Sequence, residues 1–396
     1  MGGFEHGMKN PFDLQIFILL LDGCGTGEQP DSPAFGDAGA NTLRHVLEVT
    51  GVRLPNLEKF GLLRFAGSGM RGTASGGRLE QKSKGKDTAS GHWELMGVPV
   101  DVEFPVYPHG FPPEIIGPFC RAVGRGILGN TPASGTEILE RLGPEHLRTG
   151  DLIVYTSGDS VFQVAACETV VPVEELYRCC AIARDLLKGP HAVCRVIARP
   201  FIVQDGRFVR TPRRKDFALP PPAPTFLERL QDAGGTVLGI GKIEDIFAHR
   251  GITENRKTIN NRDGLERLHA ALREDFTLTF CNLVQFDSDW GHRRDAAGFA
   301  RGLQEVDAFL PRLLETLGER QILMVTADHG CDPCHAGTDH TREYVPCLFH
   351  GKAIRGGVEC PDTPQSALAW TLARLLGLSF YHESGWAPLL SMGITK

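Results

Sequence analysis

Three apolar runs in this chain finish in aspartate, and that repetition constrains the fold more than any other feature. They are IFILLLD, ending at Asp22, LTFCNLVQFD, ending at Asp287, and QILMVTADH, which carries Asp328 and His329. Continuous apolar runs of this length read as strands buried on both faces, as in a parallel sheet. Strand-like stretches fall at 14–21, 236–240, 276–286 and 321–327, with helical patterns between them, notably at 262–273 and 296–317. Alternating strands and helices predict an α/β fold with a mainly parallel sheet flanked by helices. Ligands of such sheets collect at the carboxyl ends of strands, where the three aspartates fall.

Imidazoles accompany these carboxylates. His292 follows Asp287 by five residues, His329 adjoins Asp328, and His340 stands eleven residues beyond His329 in TADHGCDPCHAGTDHTREYVP. Carboxylate oxygen with imidazole nitrogen, and no obligatory thiolate, suits Mn²⁺, Zn²⁺ or Mg²⁺. Three Asp and three His from three segments predict a site for two ions, which together clamp the attacking and leaving oxygens of a phosphoryl group. Such a site needs a nucleophile. Thr88, in GKDTASGH, stands where a loop enters a helix, so backbone N–H groups and the positive helix end favour an attached phosphate. A threonine hydroxyl is a weak nucleophile at neutral pH, and metal coordination corrects that. The alternative is that Thr88 is only a helix N-cap.

The length of 396 residues allows two or three domains with well-buried cores. A net charge of −6 supplies no basic field, so nucleic acid is not expected as a partner. No apolar stretch reaches the roughly 18 residues of a membrane span, and the N-terminal MGGFEHGMKNPFD lacks the basic start of a signal peptide. A cytoplasmic protein with its eleven cysteines reduced is expected. Cys331-x-x-Cys334 alone is a weak signal for a zinc half-site or a redox pair. Residues 103–220 begin and end in proline-rich stretches, EFPVYPHGFPPE and FALPPPAP. They contain strand-like DLIVYT and AVCRVIARPFIV and a helical pattern at 173–188. This predicts an inserted α+β cap domain interrupting a core made of 1–102 and 221–396.

Over nearly its whole length the chain resembles the phosphopentomutase family of the alkaline-phosphatase-like metalloenzymes. The resemblance rests on GDAGANTL, LPNLEKFGL, GKDTASGHWELMGV, LGNTPASGTEIL, YTSGDSVFQVAACE, RVIARPF, GKIEDIF, FDSDWGHRRDAAGFARGLQEVDAFLP, TADHG and GTDHTREYVP, in that order. It implies an alkaline-phosphatase-like core that interconverts ribose 1-phosphate and ribose 5-phosphate, or their 2-deoxy equivalents, through phosphorylated Thr88. It further implies two Mn²⁺ ions, with Mg²⁺ or Zn²⁺ as alternatives, and priming by a sugar bisphosphate such as glucose 1,6-bisphosphate. One ion would be held by Asp287, His292 and His340, the other by Asp22, Asp328, His329 and the Thr88 oxygen. On the cap, Ser157, Asp159 and Val161 would contact the sugar, with Ile197 lining the same pocket. Arg195, Arg210 and Lys242 would hold the phosphate remote from the metals, and a monomer is implied.

The chain departs from the family pattern at Gly23, Gly158, Gln285, Cys331 and Cys334, none of them an implied ligand. The two cysteines read as loop substitutions, and Gln285 as the loss of a carboxylate behind the ligands. The rival readings are a phosphatase on the same scaffold, a mutase for another phosphorylated sugar, and a metal-binding relative without catalysis.

Overall fold

The computed structural model describes residues 11–101, 103–157 and 160–380. The chain divides into two compact units, one of Met1–Val102 with Pro221–Lys396, the other of Glu103–Pro220. Two strands precede the inserted unit, β1 (Gln15–Leu21) and β2 (Ser75–Glu80). Within it lie β3 (Ile127–Pro132), β4 (Leu152–Thr156), β5 (Val161–Cys167), β6 (Arg195–Gln204), β7 (Arg207–Arg210) and β8 (Lys215–Ala218). After it come β9 (Val237–Ile240), β10 (Glu254–Arg256), β11 (Leu278–Leu283), β12 (Gln321–Thr326), β13 (Val345–His350) and β14 (Thr363–Pro364).

In the larger unit the strands form one sheet in the order β10-β9-β11-β1-β12-β13-β2-β14. From β10 to β12 every neighbour is parallel. β13 runs against both β12 and β2, and β14 is parallel to β2. The sheet is therefore mainly parallel, as the apolar runs predict. β1 lies between β11 and β12, and its residues Ile16–Leu21 are at most 1% exposed. The helix expected at 262–273 is Asn261–Ala271, whose first turn is fixed by the Asn260 side chain accepting from the Asp263 N–H. The one expected at 296–317 is Ala296–Thr316, capped by Asp295. The strand expected at 276–286 is shorter: β11 stops at Leu283, and Phe286–Gly291 forms a π-helical turn.

The unit Glu103–Pro220 has its own sheet, ordered β3-β4-β5-β6-β7, with β8 also paired to β6. Alternation along β4 sends Leu152 and Val154 to one face, Ile153 and Tyr155 to the other. The first pair joins a core with Phe162 of β5 and with Phe119 and Leu176, drawn from the helices Pro113–Val123 and Val173–Leu186. The second joins Ile138, Leu139 and Phe201, beneath the helix Gly135–Thr149. Among the described residues no helix is long and apolar enough to cross a membrane.

Candidate functional site

The three aspartates meet because their strands are neighbours pointing the same way. Asp22 directly follows β1, Asp328 stands two residues beyond β12, and Asp287 lies four residues beyond β11. The π-turn explains the five-residue spacing between Asp287 and His292. The His292 N–H donates to the Asp287 carbonyl at 3.1 Å, an i→i+5 bond. In an α-turn two residues five apart point about 140° away from each other; the wider π-turn returns them to one side. His340 is brought back by the antiparallel bridge between Gly330 and Thr341.

The rings crowd the carboxylates. His340 Nε2 is 3.1 Å and His292 Nε2 3.4 Å from Asp287 Oδ1. His329 Nε2 is 3.1 Å from Asp328 Oδ2 and 3.5 Å from Asp22 Oδ1. Carbonyl oxygens fix two of the rings. His292 Nδ1 donates to the Thr338 carbonyl at 2.6 Å, and His329 Nδ1 to the Gly330 carbonyl at 3.0 Å. Each Nε2 lone pair is thereby turned towards carboxylate oxygens, an arrangement that calls for a cation between them. Asp22 Oδ1, Asp287 Oδ1, Asp328 Oδ2 and His340 Nε2 are buried and make no hydrogen bond. Buried polar atoms are rarely left so, and unpartnered oxygens and nitrogens converging from three strand ends fit divalent metal ions.

The electrostatics point the same way. Burial, with Asp328 and Asp287 close by, drives the Asp22 carboxyl well above its usual range. Burial also opposes ionisation of Asp287, but His340, His292 and His329 outweigh it and hold that carboxyl low. For Asp328, His329 and His92 outweigh burial in the same way. Burial lowers the His329 imidazolium, yet Asp328, Asp287 and Asp22 outweigh it and raise it to about 10. The raised His329 imidazolium puts positive charge where a cation would sit.

Two ligand groups emerge. Asp287, His292, His340 and Cys331 offer atoms within 4.8 Å of one another, as do Asp22, Asp287 and His329. The first contains the predicted trio plus a thiol that the sequence reading had set aside as a loop substitution; Cys334 is outside the group. Asp287 stands in both groups rather than in one. Asp328 Oδ2 approaches His329 but also lies 3.0 Å from His92 Nδ1.

Thr88 is the first residue of the helix Thr88–Leu95, and its cap is Asp87, whose carboxylate accepts from the Ala89 and Ser90 N–H groups at 2.9 and 3.1 Å. Thr88 is therefore not the N-cap. Its half-buried Oγ1 lies 3.3 Å from His329 Nε2. The same bonds correct one expectation, because those two N–H groups are spent on Asp87 and are not offered to a phosphate. The loop before the helix is tied down by Lys86 Nζ, 3.0 Å from Asp37.

Of the residues implied for sugar phosphate, Lys242 follows β9 in the larger unit, and its charge is felt at Asp22. Within the inserted unit, strand register puts Val161, Arg195, Ile197 and Arg210 on one face of the sheet. Val161 and Ile197 are buried, and Ser157 follows β4. Asp159 lies outside the described residues. Arg199, which no sequence signal singled out, shares that face and donates from Nε to Gln163 Oε1 at 3.1 Å.

Other residues behind the site also escaped the sequence reading. His92 Nδ1 is 2.9 Å from the Thr88 carbonyl, and its Nε2 accepts from Asn282 Nδ2 at 3.2 Å. The four-residue step from Thr88 to His92 was the available signal, one helical turn on a single face. Fully buried Glu343 accepts from Thr42 Oγ1 and Thr341 Oγ1 at 2.7 Å each and from the Gly27 N–H at 3.1 Å, locking the loop after β1 to the loop before β13. Gln285 turns towards the helix start at Asn261 and towards Asp289, and so supports the π-turn.

Sheet and site together define a metal-dependent enzyme of the α/β class. The description of the metalloenzyme superfamily matches residues 14–378. A phosphopentomutase of Caldanaerobacter subterraneus subsp. tengcongensis is 51% identical over 352 residues, 87% of this chain and 89% of that protein. One from Carboxydothermus hydrogenoformans is 50% identical over 372 residues, 92% of this chain and 96% of its own length. Another, from Acetivibrio thermocellus, is 49% identical over 375 residues, covering 92% and 96%. The chain belongs to the phosphopentomutase family of isomerases, within the metalloenzyme superfamily.

Proposed function

We propose that this protein interconverts ribose 1-phosphate and ribose 5-phosphate, and the 2-deoxy pair, by way of a phosphorylated Thr88. The observation that carries this is the placement of Thr88 Oγ1, 3.3 Å from His329 Nε2, with Asp87 rather than Thr88 capping the helix. Two divalent ions, Mn²⁺ or the alternatives Mg²⁺ and Zn²⁺, supply when bound the positive charge that favours phosphoryl transfer. Asp22, Asp328 and His329 would hold one beside Thr88, and Asp287, His292 and His340 the other.

Thr88 carries the phosphoryl group between transfers, and the positive end of its helix favours that negative charge. The bond between Thr88 Oγ1 and phosphorus breaks as a hydroxyl of the incoming pentose phosphate bonds to phosphorus. The hydroxyl proton ends on the threonine. The resulting bisphosphate then returns its other phosphoryl group to Thr88. A sugar bisphosphate such as glucose 1,6-bisphosphate primes the first cycle. Arg195, Arg210 and Lys242 are proposed to bind the non-reacting phosphate as guanidinium forks and a point charge, with Ser157, Asp159, Val161 and Ile197 at the sugar. The inserted unit is proposed to act as a cap that limits water at phosphothreonine, the difference between a mutase and a phosphatase. Among the described residues the cysteines form no disulfide, and the protein is proposed to work as a cytoplasmic monomer.

The test is mass analysis for phosphate on Thr88 combined with a product assay on ribose 1-phosphate in Mn²⁺. Ribose 5-phosphate without free phosphate is expected, and Thr88→Ala is expected to abolish both label and turnover. Stoichiometric phosphate release would identify a phosphatase instead. Turnover retained by Thr88→Ala would remove Thr88 as the nucleophile.

A further inference from the structure

We infer that Cys331 is a fourth protein ligand at the Asp287–His292–His340 site, and that this site selects zinc or another thiolate-preferring ion over manganese. The inference rests on the metal-site reading above but not on the mutase reaction. The Cys331 Sγ lies with the three other donors, all within 4.8 Å of one another. Its backbone is pinned, because the Cys331 N–H donates to the Gly23 carbonyl at 2.8 Å and to Thr42 Oγ1 at 3.2 Å. The sulfur has been given room. A Cβ at Gly291 would stand 2.5 Å from Sγ, and one at Gly23 would stand 2.7 Å from the Cys331 Cβ.

The surroundings are wrong for a thiol that merely fills space. Cys281 and Cys347 are equally buried, but they sit on β11 and β13 within the apolar sheet. Cys331 faces a carboxylate and two imidazoles, and among these Asp287 Oδ1 and His340 Nε2 are buried without a hydrogen bond. One sulfur, two nitrogens and one oxygen make a complete tetrahedral donor set for zinc. A thiolate favours zinc over manganese, whereas the Asp22 side of the centre, with oxygen and imidazole alone, does not. On binding, the thiol yields its proton to solvent and the sulfur lone pair to the ion.

The experiment strips the full-length protein with chelator and reloads it with Co²⁺ or Zn²⁺. With cobalt, a sulfur-to-metal charge-transfer band in the near ultraviolet is expected. It should persist in Cys334→Ser and vanish in Cys331→Ser while both ions remain bound. With zinc, X-ray absorption of the unmutated protein should show a sulfur shell at about 2.3 Å, a measurement that needs no variant to fold. Zinc affinity relative to manganese should fall by about tenfold or more in Cys331→Ser, the scale on which even outer-shell changes act. Two bound ions with neither band nor sulfur shell would overturn the inference alone, as would a band that survives Cys331→Ser. Failure to bind any ion would overturn the metal-site reading with it.

Discussion

His92 stands one layer behind the carboxylates, with Nδ1 3.0 Å from Asp328 Oδ2 and Nε2 3.2 Å from Asn282 Nδ2. The Asn282 amide donates, so the other ring nitrogen carries the proton and points it between Asp328 and the Thr88 carbonyl. One ring thus orients a carboxylate of the candidate metal site and the backbone of the proposed nucleophile. His92→Gln is expected to weaken metal binding by about 10–100-fold with little change in unfolding midpoint, as checked by metal titration beside denaturant unfolding. Unchanged affinity would mean that Asp328 is oriented without it. At this scale the sequence was informative where residue type is tied to chemistry: the three Asp and three His were legible, and they converge. His92 lay inside a quoted motif but had no role that spacing alone could supply. Cys331 reads as a loop substitution because a lone CxxC is judged by its partner cysteine, whereas its neighbours in the structure come from the turn after β11 and the loop before β13.

The helix Thr88–Leu95 begins where it does because Asp87 captures two N–H groups that would otherwise be unsatisfied. Asp87→Ala is expected to cost about 1 kcal/mol and to loosen the turn that presents Thr88. Hydrogen exchange should quicken at Ala89 and Ser90, turnover should fall, and Asp87→Asn should restore most of both. Unaltered exchange would show that packing, not the cap, fixes the helix start. Long apolar strands such as β1 and β12 and long amphipathic helices such as Ala296–Thr316 were legible from pattern. β2 (SGGRLE) was not, since it presents little side chain to the periodicity and is a strand through its pairing with β13. The end of β11 was overrun because apolar character continues through Val284 and Phe286 into the π-turn.

The unit Glu103–Pro220 carries a sheet with a packed core on each face, which is what an independently folding domain requires. A fragment of these residues is expected to unfold cooperatively by urea, with coincident circular dichroism and fluorescence transitions; a broad, non-coincident transition would count against autonomy. Its acid stability should depend on Asp216. Burial pushes that carboxyl up, but Arg214, Arg195 and Arg199 outweigh it and hold it below the usual range. A depressed folded value means stabilisation that is present above the unfolded value of about 3.9 and is lost as pH falls through the folded one. Asp216→Asn should therefore destabilise the fragment at neutral pH and flatten its acid arm, read from urea midpoints across pH. An acid arm as steep as before would assign it to other carboxylates. The insertion was legible because proline-rich stretches bracket it. Its strand order was not, since pairing between distant segments leaves no local trace.

The π-turn at Phe286–Gly291 gives chain length itself a role in the chemistry. Adding one residue between Asp287 and His292 would take the pair out of the register that the π-turn supplies. On an α-turn the imidazole would then point about 120° away from Asp287, even with every candidate ligand still encoded, whereas a one-residue deletion leaves the pair four apart on one face. This stretch should therefore tolerate exchange of residues such as Ser288 far better than a one-codon insertion. A library mixing substitutions with single-residue insertions here would separate those two kinds of change by metal content alone.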